Sequence, residues 1–275
     1  MNYSPKIINN LIEDNKLKIK KKFGQNFIVD ENIIDNIIAK SEIDENTLVI
    51  EIGPGMGALT YKLAKLAKNV LCYEVDDSLK EILEDNLKGI NNVDILFQDF
   101  LKSNLIKDIA QYNYNKLYVV ANLPYYITTP IIVKIIEDNL EIDKMVVMVQ
   151  KEVGNRFKAK AKTKDYGSLT VYLNYYFDVK KIMDVSRNVF IPKPNIDSIV
   201  VEFKKKDNLL YVKDKDLFFR LVRDSFKQKR KTIKNNLKNY DIDKIEKVLN
   251  KHNYNLNSRA EELSIEIFVD IANKL

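Results

Sequence analysis

The stretch Thr47–Lys68 reads TLVIEIGPGMGALTYKLAKLAK, an apolar run followed by a glycine-rich turn and an amphipathic segment. The apolar run Leu48–Ile52 predicts a buried strand, and the spacing of Leu59 and Leu63 predicts a helix after it. The turn Gly53–Gly57 lies directly between the two and carries three glycines, which allow a ligand to come close to the backbone. This order of strand, turn and helix is typical of the cofactor-binding edge of a parallel α/β sheet.

Further strands and helices alternate along the chain on both sides of this stretch. Ile33, Ile34, Ile37 and Ile38 recur at helical spacing behind Asp30, which is a suitable N-cap. Four more strands are predicted in NVLCYEVD (from Asn69), VDILFQD (from Val93), KLYVVANLPYY (from Lys116) and DKMVVMVQ (from Asp143). Such alternation predicts a parallel sheet that helices cover on both faces.

Two later segments have a different pattern. Gly167–Val185 and Asp197–Lys206 are rich in β-branched and aromatic residues and show no helix between them. We therefore expect both to form an antiparallel edge of the same sheet. From about Leu209 onward the apolar residues recur at helical spacing, so the chain is divided into a first domain of residues 1–206 and a helical domain of residues 207–275.

The residue types present exclude several kinds of chemistry. The chain has one cysteine, Cys72, and one histidine, His252. An internal disulfide, a cysteine-rich zinc site and a Ser-His-Asp mechanism therefore lack the side chains they need, and no metal site is expected. No apolar run approaches the ~20 residues of a membrane helix, and the first residues do not resemble a secretory signal. The expected location is the cytoplasm.

Positive charge is concentrated in one region of the sequence. The net charge is +6, and residues 204–238 alone carry 13 Lys or Arg against 4 Asp. Two further basic runs are Lys16–Lys22 and Lys151–Lys164. Such clusters favour a polyanionic partner, either nucleic acid or a membrane surface. A solvated lysine-rich surface would give the same pattern.

Carboxylates at the ends of the second and third predicted strands point to a cofactor. Glu74 follows Gly53 by 21 residues, and Asp99 ends the next strand. A carboxylate at the first position can accept hydrogen bonds from both ribose hydroxyls, and one at the second can face an adenine edge. Gly53-x-Gly55-x-x-Ala58 also fits the loose dinucleotide pattern, so NAD stays open on the glycines alone. Glu51, which gives E-x-G-x-G-x-G, favours S-adenosylmethionine, as does the motif NLPY.

That motif, Asn122–Tyr125, ends the fourth predicted strand and has a chemical interpretation. An exocyclic adenine amine is a poor nucleophile because its lone pair is delocalised into the ring. Two acceptors aimed at its two hydrogens would favour pyramidalisation and expose the lone pair. The side-chain oxygen of Asn122 and the carbonyl of Leu123 or Pro124 can be those acceptors. The ring of Tyr125 can stack on the extruded base, which is worth ~1–3 kcal/mol.

Seven motifs together resemble one known family: KKFGQNFIVD (Lys21–Asp30), EIGPGMGALT, NLPYYITTP, QKEVGNRF, DYGSLTV, FIPKPNIDS and FKQKRKTIKNNL. The chain is similar to the ribosomal RNA adenine N6,N6-dimethyltransferases, and most similar to their small-subunit branch. The resemblance implies a class I S-adenosylmethionine-dependent methyltransferase with a Rossmann-like, mostly parallel seven-stranded sheet and a small all-helical C-terminal domain. It also implies a monomer that dimethylates two adjacent adenosines in the hairpin loop near the 3′ end of 16S rRNA, within the small ribosomal subunit.

The resemblance also assigns roles to individual positions. It implies cofactor contacts at Asn26, Ile28, Gly53, Gly55, Glu74, Asp99 and Asn122. It implies a clamp for the target amine at Asn122, Leu123, Pro124 and Tyr125, with Phe190 as a second stacking face for the base. It implies RNA phosphate contacts at Lys227, Lys229, Arg230, Lys231 and Lys234. Ile28 and Tyr126 depart from the commoner Leu and Asn.

Three other functions remain compatible with parts of the sequence. The large-subunit (23S) rRNA methyltransferases that confer macrolide resistance share the fold and the clamp, but they tend toward Ile and Phe where this chain has Leu123 and Tyr125. A non-catalytic assembly factor would bind the maturing small subunit as a checkpoint; intact Glu74, Asp99 and Asn122 argue against a loss of catalysis, although both roles can coexist. An NAD-dependent oxidoreductase would share the glycine turn but has no use for NLPY.

Overall fold

The computed structural model describes residues 4–15, 17, 19–20, 23–138 and 140–275. Nine strands are described: β1 (Phe27–Ile28), β2 (Thr47–Ile52), β3 (Asn69–Glu74), β4 (Val93–Phe97), β5 (Lys116–Asn122), β6 (Lys144–Gln150), β7 (Phe177–Val185), β8 (Phe190–Ile191) and β9 (Ser198–Lys205). The α-helices of the described residues are α1 (Pro5–Asp14), α2 (Glu31–Ser41), α3 (Ala58–Ala64), α4 (Lys80–Asn86), α5 (Leu105–Ile109), α6 (Thr128–Glu137), α7 (Lys151–Phe157), α8 (Ser168–Tyr176), α9 (Lys215–Ser225), α10 (Ile233–Asn236), α11 (Ile242–Lys251) and α12 (Ile265–Lys274). In the basic run Lys16–Lys22, the residues Lys16, Lys18, Lys21 and Lys22 lie outside the described residues.

Seven of the strands form one sheet, in the order β4-β3-β2-β5-β6-β9-β7. The pairs β2–β3, β3–β4, β2–β5 and β5–β6 are parallel, and β9 runs antiparallel to β6. β1 and β8 form a separate antiparallel pair in which Ile28 lies opposite Phe190. The predicted mostly parallel seven-stranded sheet is therefore confirmed.

The strand order reverses at β2. The chain moves outward from β2 through β3 to β4, then returns so that β5 pairs with the other side of β2. In open α/β sheets, ligands bind at the carboxyl ends of the strands where the order reverses. The glycine turn after β2 and Asn122 at the end of β5 are brought to this edge, although about 70 residues separate them.

Burial of the central strands explains their sequences. Every residue of β2 is buried, and so are the inner residues of β5 and β6, because neighbouring strands and helices cover both faces. The isoleucine-rich helix α2 begins where the sequence predicts. The Asp30 side chain caps it by accepting a hydrogen bond of 2.9 Å from the backbone nitrogen of Asn32.

One predicted strand is wrong in its first half. Ser168–Tyr176, expected to be part of an edge strand, is the helix α8, and only Phe177–Val185 is extended. The β-branched and aromatic residues of this segment favour a strand. Val171 and Tyr175, however, are one helical turn apart, and both are buried in the core of the C-terminal helices. Packing in that core overrides the intrinsic preference.

The chain forms two compact units. The first comprises residues 1–154 and 180–204, and the second comprises residues 155–179 and 205–275. The sequence-based boundary between residues 206 and 207 lies close to the second division. Residues 155–179, however, cluster with the C-terminal helices and not with the sheet domain to which the sequence assigned them. The reason is that α8 contributes to the same apolar core as α9, α11 and α12.

Candidate active site

A cavity of about 220 Å³ opens at the carboxyl ends of β2, β3 and β5. Its walls come from the glycine turn after β2, from Glu74 at the end of β3, from Asp99 after β4 and from Asn122–Ile127 after β5. The segment Phe23–Phe27 forms one further wall. The topology thus brings together the residues that the sequence singled out at separate strand ends.

The backbone of the glycine turn has positive φ angles, which residues with a side chain adopt only with strain. Gly53 and Gly55 have φ values of +74° and +60°. A Cβ atom at Gly55 would lie 3.2 Å from two carbon atoms of the Phe27 ring, and one at Gly53 would lie 3.6 Å from Cγ of Pro124. Both positions therefore need glycine for its conformation, and at Gly55 also for its small size.

Glu74 is a buried carboxylate in the cavity wall. Its side chain is 4% exposed. Oε1 accepts a hydrogen bond of 2.9 Å from the Asp76 backbone nitrogen, and Oε2 accepts one of 3.2 Å from the Gly55 nitrogen. Burial raises the pKa of Glu74 to about 7, which these hydrogen bonds do not offset. A ligand that donates hydroxyl groups to this carboxylate would favour its ionised form.

Asp99 is more open and has a structural task as well. Its Oδ1 accepts a hydrogen bond of 3.0 Å from the Leu101 nitrogen and so caps the 3-10 turn Phe100–Lys102. Its Oδ2 lies 4.0 Å from Nζ of Lys102 on the surface. The carboxylate also lines the cavity, so its outer oxygen can face a bound ligand.

Asn26 and Ile28 are placed differently from each other. Asn26 lines the cavity, and its carbonyl oxygen accepts a hydrogen bond of 3.2 Å from Nδ2 of Asn122. Ile28 is buried in β1 and lines only a smaller adjoining cavity of about 50 Å³, together with Asn26, Gly53 and Asn122. A direct cofactor contact by Ile28 would therefore be made through the smaller cavity.

The side-chain oxygen of Asn122 is the least satisfied polar atom of the site. Nδ2 of Asn122 donates to the Asn26 carbonyl, and this bond fixes which way the amide points. Oδ1 is buried and has no hydrogen-bond partner among the described residues. Leaving a buried acceptor without a donor costs about 1–3 kcal/mol of stability. A ligand that donates a hydrogen bond to Oδ1 would therefore bind favourably here.

The two backbone carbonyls beside Asn122 differ in how many hydrogen bonds they already accept. The Pro124 carbonyl already accepts hydrogen bonds from the Ile127 nitrogen at 3.2 Å and from Oγ1 of Thr128 at 3.0 Å. A carbonyl oxygen has two lone pairs, so both of these are used. The Leu123 nitrogen donates to the Met148 carbonyl, and no described residue donates to the Leu123 carbonyl. Of the two candidates that the sequence left open, Leu123 is the free one.

The two aromatic candidates differ in their availability. Tyr125 lines the cavity, and its hydroxyl makes a 2.6 Å hydrogen bond to Oγ of Ser198, a fully buried residue at the start of β9. Phe190 is 2% exposed and packs in the sheet core from β8. It does not line the 220 Å³ cavity, so its role as a second stacking face for the base stays a prediction, which this buried position does not favour.

The five basic positions of the second unit are all exposed. Lys227, Lys229, Arg230, Lys231 and Lys234 lie on the turn after α9 and at α10. None of the five pairs with a carboxylate in the part of the chain that the structure describes, although Nζ of Lys229 donates to the Lys164 carbonyl at 2.7 Å. Their charges are therefore available to a polyanion.

Sequence reasoning missed several residues that shape the site. Gln25 and the partly exposed Lys20 contact the buried carboxylate of Asp76 beside Glu74, and Ser198 anchors the Tyr125 ring. Of these residues, only Asp76 could have been suspected from the sequence, because it follows Glu74 by two residues. Over the described residues, no group of three or more His, Cys, Asp or Glu could hold a metal ion. None of the described helices has the length and apolar character that a membrane crossing requires.

Comparison with known proteins gives consistent matches over nearly the whole chain. A family model described as ribosomal RNA adenine dimethylase matches residues 16–275. The chain is 44% identical over 274 residues to the ribosomal RNA small subunit methyltransferase A of Geobacillus sp. (strain WCH70), which covers 96% of this chain and 94% of that protein.

Two crystal structures are similar in fold. A dimethyladenosine transferase from Plasmodium falciparum superposes with a TM-score of 0.74 at 26% identity, covering 89% of this chain and 95% of that one. The 23S rRNA methyltransferase ErmE superposes with a TM-score of 0.70 at 25% identity, covering 91% and 99%. Sequence and fold comparisons therefore point to the same group of proteins.

Proposed function

The chain belongs to the ribosomal RNA adenine dimethylase family, and from that membership we propose that it dimethylates the N6 amines of two adjacent adenosines in the 3′-terminal hairpin loop of 16S rRNA. The methyl donor is S-adenosylmethionine and the substrate is rRNA of the small ribosomal subunit. The modification would be a step in ribosome biogenesis. We further propose that the protein acts as a monomer in the cytoplasm, where ribosomal subunits assemble.

The observation that carries this proposal is the pair of unused acceptors at the end of β5. Oδ1 of Asn122 is buried without a donor, and the adjacent Leu123 carbonyl has no donor from the described residues. An adenine N6 amine brings two hydrogens to one nitrogen. Accepting both hydrogens favours the pyramidal form of N6, whose lone pair is then free to act as the nucleophile.

The cavity residues fit S-adenosylmethionine. Glu74 presents a buried carboxylate suited to ribose hydroxyls, and Gly53 and Gly55 leave room for close approach. Asp99, Asn26 and Asn122 add polar groups to the cavity wall, and Ile28 lines the smaller adjoining cavity. When bound, S-adenosylmethionine supplies an electrophilic methyl group and leaves as S-adenosylhomocysteine. The methylated nitrogen is acidic, so its proton passes to water and the chain needs no general base at this atom.

Residues around the clamp support the recognition of an extruded base. Tyr125 lines the cavity beside the clamp, and its hydroxyl is held by Ser198, so its ring is a suitable stacking partner. Pro124 restricts the backbone between Leu123 and Tyr125 and thereby keeps the clamp in shape. A base in a hairpin loop can leave its stack at modest cost. The exposed lysines and arginine after α9 are proposed to contact phosphates.

The large-subunit enzymes are the second candidate, because ErmE shares the fold over most of both chains. The 44% identity to a small-subunit methyltransferase favours the small-subunit RNA. A non-catalytic assembly role is disfavoured by the intact clamp and cavity carboxylates.

A labelling experiment tests the proposal. Labelled S-adenosylmethionine is incubated with the protein and either unmodified small-subunit particles or unmodified large-subunit RNA, and the products are mapped by mass spectrometry. We expect two adjacent dimethyladenosines near the 3′ end of the small-subunit RNA. Label in the large-subunit RNA alone would support the second candidate. Absence of label in both, with cofactor still bound, would support the assembly role.

A further inference from the structure

Asp76 is a buried carboxylate that the reaction described above does not use. It follows Glu74 by two residues and is 1% exposed. Its Oδ1 receives a contact of 2.5 Å from Nζ of Lys20, and its Oδ2 accepts a hydrogen bond of 2.7 Å from Nε2 of Gln25. Both donors belong to a segment that precedes Asp76 by more than 50 residues. A buried carboxylate with two such partners connects distant parts of the chain.

On its other side, Asp76 connects to the cavity wall. Its backbone nitrogen donates to Oε1 of Glu74 at 2.9 Å, and its Oδ1 accepts from the nitrogen and the hydroxyl of Ser78 at 3.1 Å and 2.6 Å. The carboxylate therefore fixes the turn that follows β3. Through the hydrogen bond from the Asp76 backbone nitrogen, this turn orients the Glu74 carboxylate toward the cavity.

The segment held by Asp76 is itself a wall of the cavity. Both polar atoms of the Gln25 amide are hydrogen-bonded. Nε2 donates to Asp76, and Oε1 accepts a hydrogen bond of 2.8 Å from the Lys20 backbone nitrogen. Next along the chain, the Asn26 carbonyl holds the amide of Asn122, and the Phe27 ring packs on Gly55. Displacing this segment would therefore disturb the glycine turn and the clamp together.

The charge of Asp76 is essential to this arrangement. Burial by itself raises the pKa of a carboxyl group, but the hydrogen bonds from Lys20, Ser78 and Gln25 outweigh it and hold the pKa of Asp76 below its usual value. The group is ionised at neutral pH. A neutral amide at this position would have one acceptor atom in place of two, and its NH₂ group would face donors.

We propose that Asp76 is a positioning residue for cofactor binding, which through Gln25 and Lys20 holds Phe23–Phe27 as a wall of the S-adenosylmethionine site and orients Glu74. The inference rests on the proposed function, since it concerns the same cavity. It assigns to Asp76 an effect on cofactor affinity, exerted through Gln25, Lys20 and Glu74, without contact with the reacting atoms.

The test compares Asp76→Asn with Asp77→Asn in the full-length protein. Asp77 is the adjacent carboxylate, is exposed, and makes no described side-chain contact. S-adenosylhomocysteine binding is measured by titration calorimetry, and KM for S-adenosylmethionine and kcat are measured on small-subunit particles. We expect Asp76→Asn to weaken binding and raise KM by about tenfold or more, with a much smaller change in kcat, because the variant loses the buried negative charge that Lys20 and Gln25 contact. Asp77→Asn should match the wild type.

A second variant keeps the proposal testable if Asp76→Asn does not fold. Lys20→Met removes the cation from the network, and Lys20 does not line the cavity. It should also weaken S-adenosylhomocysteine binding while thermal unfolding of the ligand-free protein stays close to that of the wild type. If Lys20 and Asp76 act together, the double variant should bind no more weakly than Asp76→Asn alone.

The outcomes separate this inference from the proposed function. Wild-type affinity in Asp76→Asn or in Lys20→Met, or equal weakening in Asp77→Asn, would overturn the inference while leaving the methyltransferase function intact. Failure of the wild-type protein to bind S-adenosylhomocysteine would instead contradict the proposed function.

Discussion

The two polar atoms of the Asn122 side-chain amide differ in their hydrogen bonding. Nδ2 is bound to the Asn26 carbonyl, whereas Oδ1 is buried and without a donor among the described residues. The sequence indicated this residue because an asparagine followed by Leu-Pro-Tyr ends a buried strand. It could not say which of the two neighbouring carbonyls has a lone pair left for a ligand, because that depends on which oxygen accepts hydrogen bonds from Ile127 and Thr128.

The first prediction concerns Asn122→Ala. Removing the acceptor should lower kcat for methyl transfer by about 10²-fold or more, since one preorganised group of an oxyanion-type site contributes about that much. Binding of S-adenosylhomocysteine should weaken less, because Glu74 and the glycine turn are unchanged. Both are measured on purified protein, with Asn113→Ala, an exposed asparagine before β5, as the control. Normal turnover in Asn122→Ala would disprove the clamp.

Glu51 is a second residue whose environment sets its behaviour. It lies within β2, is 2% exposed, and its Oε2 is contacted by Sγ of Cys72 at 3.6 Å. Burial raises the pKa of Glu51 to about 8 from an ordinary value of 4.5. The folded protein therefore keeps this side chain neutral at pH 7, while the unfolded chain releases the proton.

The second prediction follows for Glu51→Gln. Between pH 4.5 and pH 8 the unfolded wild type binds fewer protons at this site than the folded protein, so wild-type stability falls as the pH rises through this window. Glutamine has a similar shape and does not titrate. We expect the variant to be more stable than the wild type at pH 7, by about 3 kcal/mol, and little different near pH 4.5.

Chemical denaturation at several pH values checks this expectation. Glu45→Gln, an exposed change just before β2, should show no such trend. A difference in the free energy of unfolding between Glu51→Gln and the wild type that stays constant with pH would mean that Glu51 is ionised in the folded protein.

Among the structural elements, α7 approaches β9 closely enough to need a glycine. A Cβ atom at Gly154 would lie 2.5 Å from Cδ1 and 2.7 Å from Cγ1 of Ile199, and 3.0 Å from Cγ2 of Val149. Ile199 and Val149 are both fully buried. The glycine of the QKEVGNRF motif is thus explained by packing between two elements.

The third prediction is that Gly154→Ala destabilises the protein by about 1–3 kcal/mol, the usual cost of overpacking. Urea unfolding measures it. Ile199→Val removes the nearest methyl group and should restore part of the loss in the double variant. Gly167→Ala serves as the control, because nothing lies within 4 Å of a Cβ there. Equal stability of Gly154→Ala and the wild type would show that α7 can shift freely.

The turn between α9 and α10 is the element proposed to face RNA. The fourth prediction is for the triple variant Lys227→Ala, Arg230→Ala, Lys231→Ala, in which three exposed positive charges are lost. Affinity for 16S rRNA should fall, and the slope of log K against log salt should decrease by about two to three units. Binding measured over a series of salt concentrations gives the slope.

A matched triple variant separates a specific contact from general charge. Lys65→Ala, Lys68→Ala and Lys88→Ala remove the same charge from exposed positions around α3 and α4. This protein should keep the wild-type slope. If the salt-dependence slope fell equally in both triple variants, RNA binding would depend on the overall positive charge of the protein and not on the turn after α9.

For the whole molecule, ligand binding and stability are linked. The fifth prediction is that S-adenosylhomocysteine raises the melting temperature, while NAD leaves it unchanged. A ligand at 100 times its Kd stabilises the folded state by about 2.7 kcal/mol, which corresponds to several degrees for a chain of this size. Thermal scans with each ligand measure the shift. Stabilisation by NAD alone would support an oxidoreductase instead.

The organisation of the whole chain was predictable where it follows from local patterns. Asp30 capped α2 as expected, and Glu74 and Asp99 met at one edge because parallel strands bring their carboxyl ends together. Ser168–Tyr176 was assigned to a strand on its residue types and is a helix. That difference arises from packing partners far away in the sequence. Phe190 was assigned to the site on its motif; it is buried in this structure, and its stacking role stays a prediction.

The sequence by itself determined the order of the central strands and helices, the glycine turn and the class of cofactor, and it singled out Asn122 as the candidate acceptor for the target amine. These properties depend on hydrophobic periodicity and on backbone conformations that only certain residues adopt, and both are local. Only the tertiary structure decided that, among the described residues, Oδ1 of Asn122 and the Leu123 carbonyl have no donor, and that Asp76 holds Gln25. Each of these depends on hydrogen-bond partners distant in the chain, 96 residues away for Asn122 and Asn26 and 51 for Gln25 and Asp76. Their distances are set when the sheet assembles and brings the strand ends together.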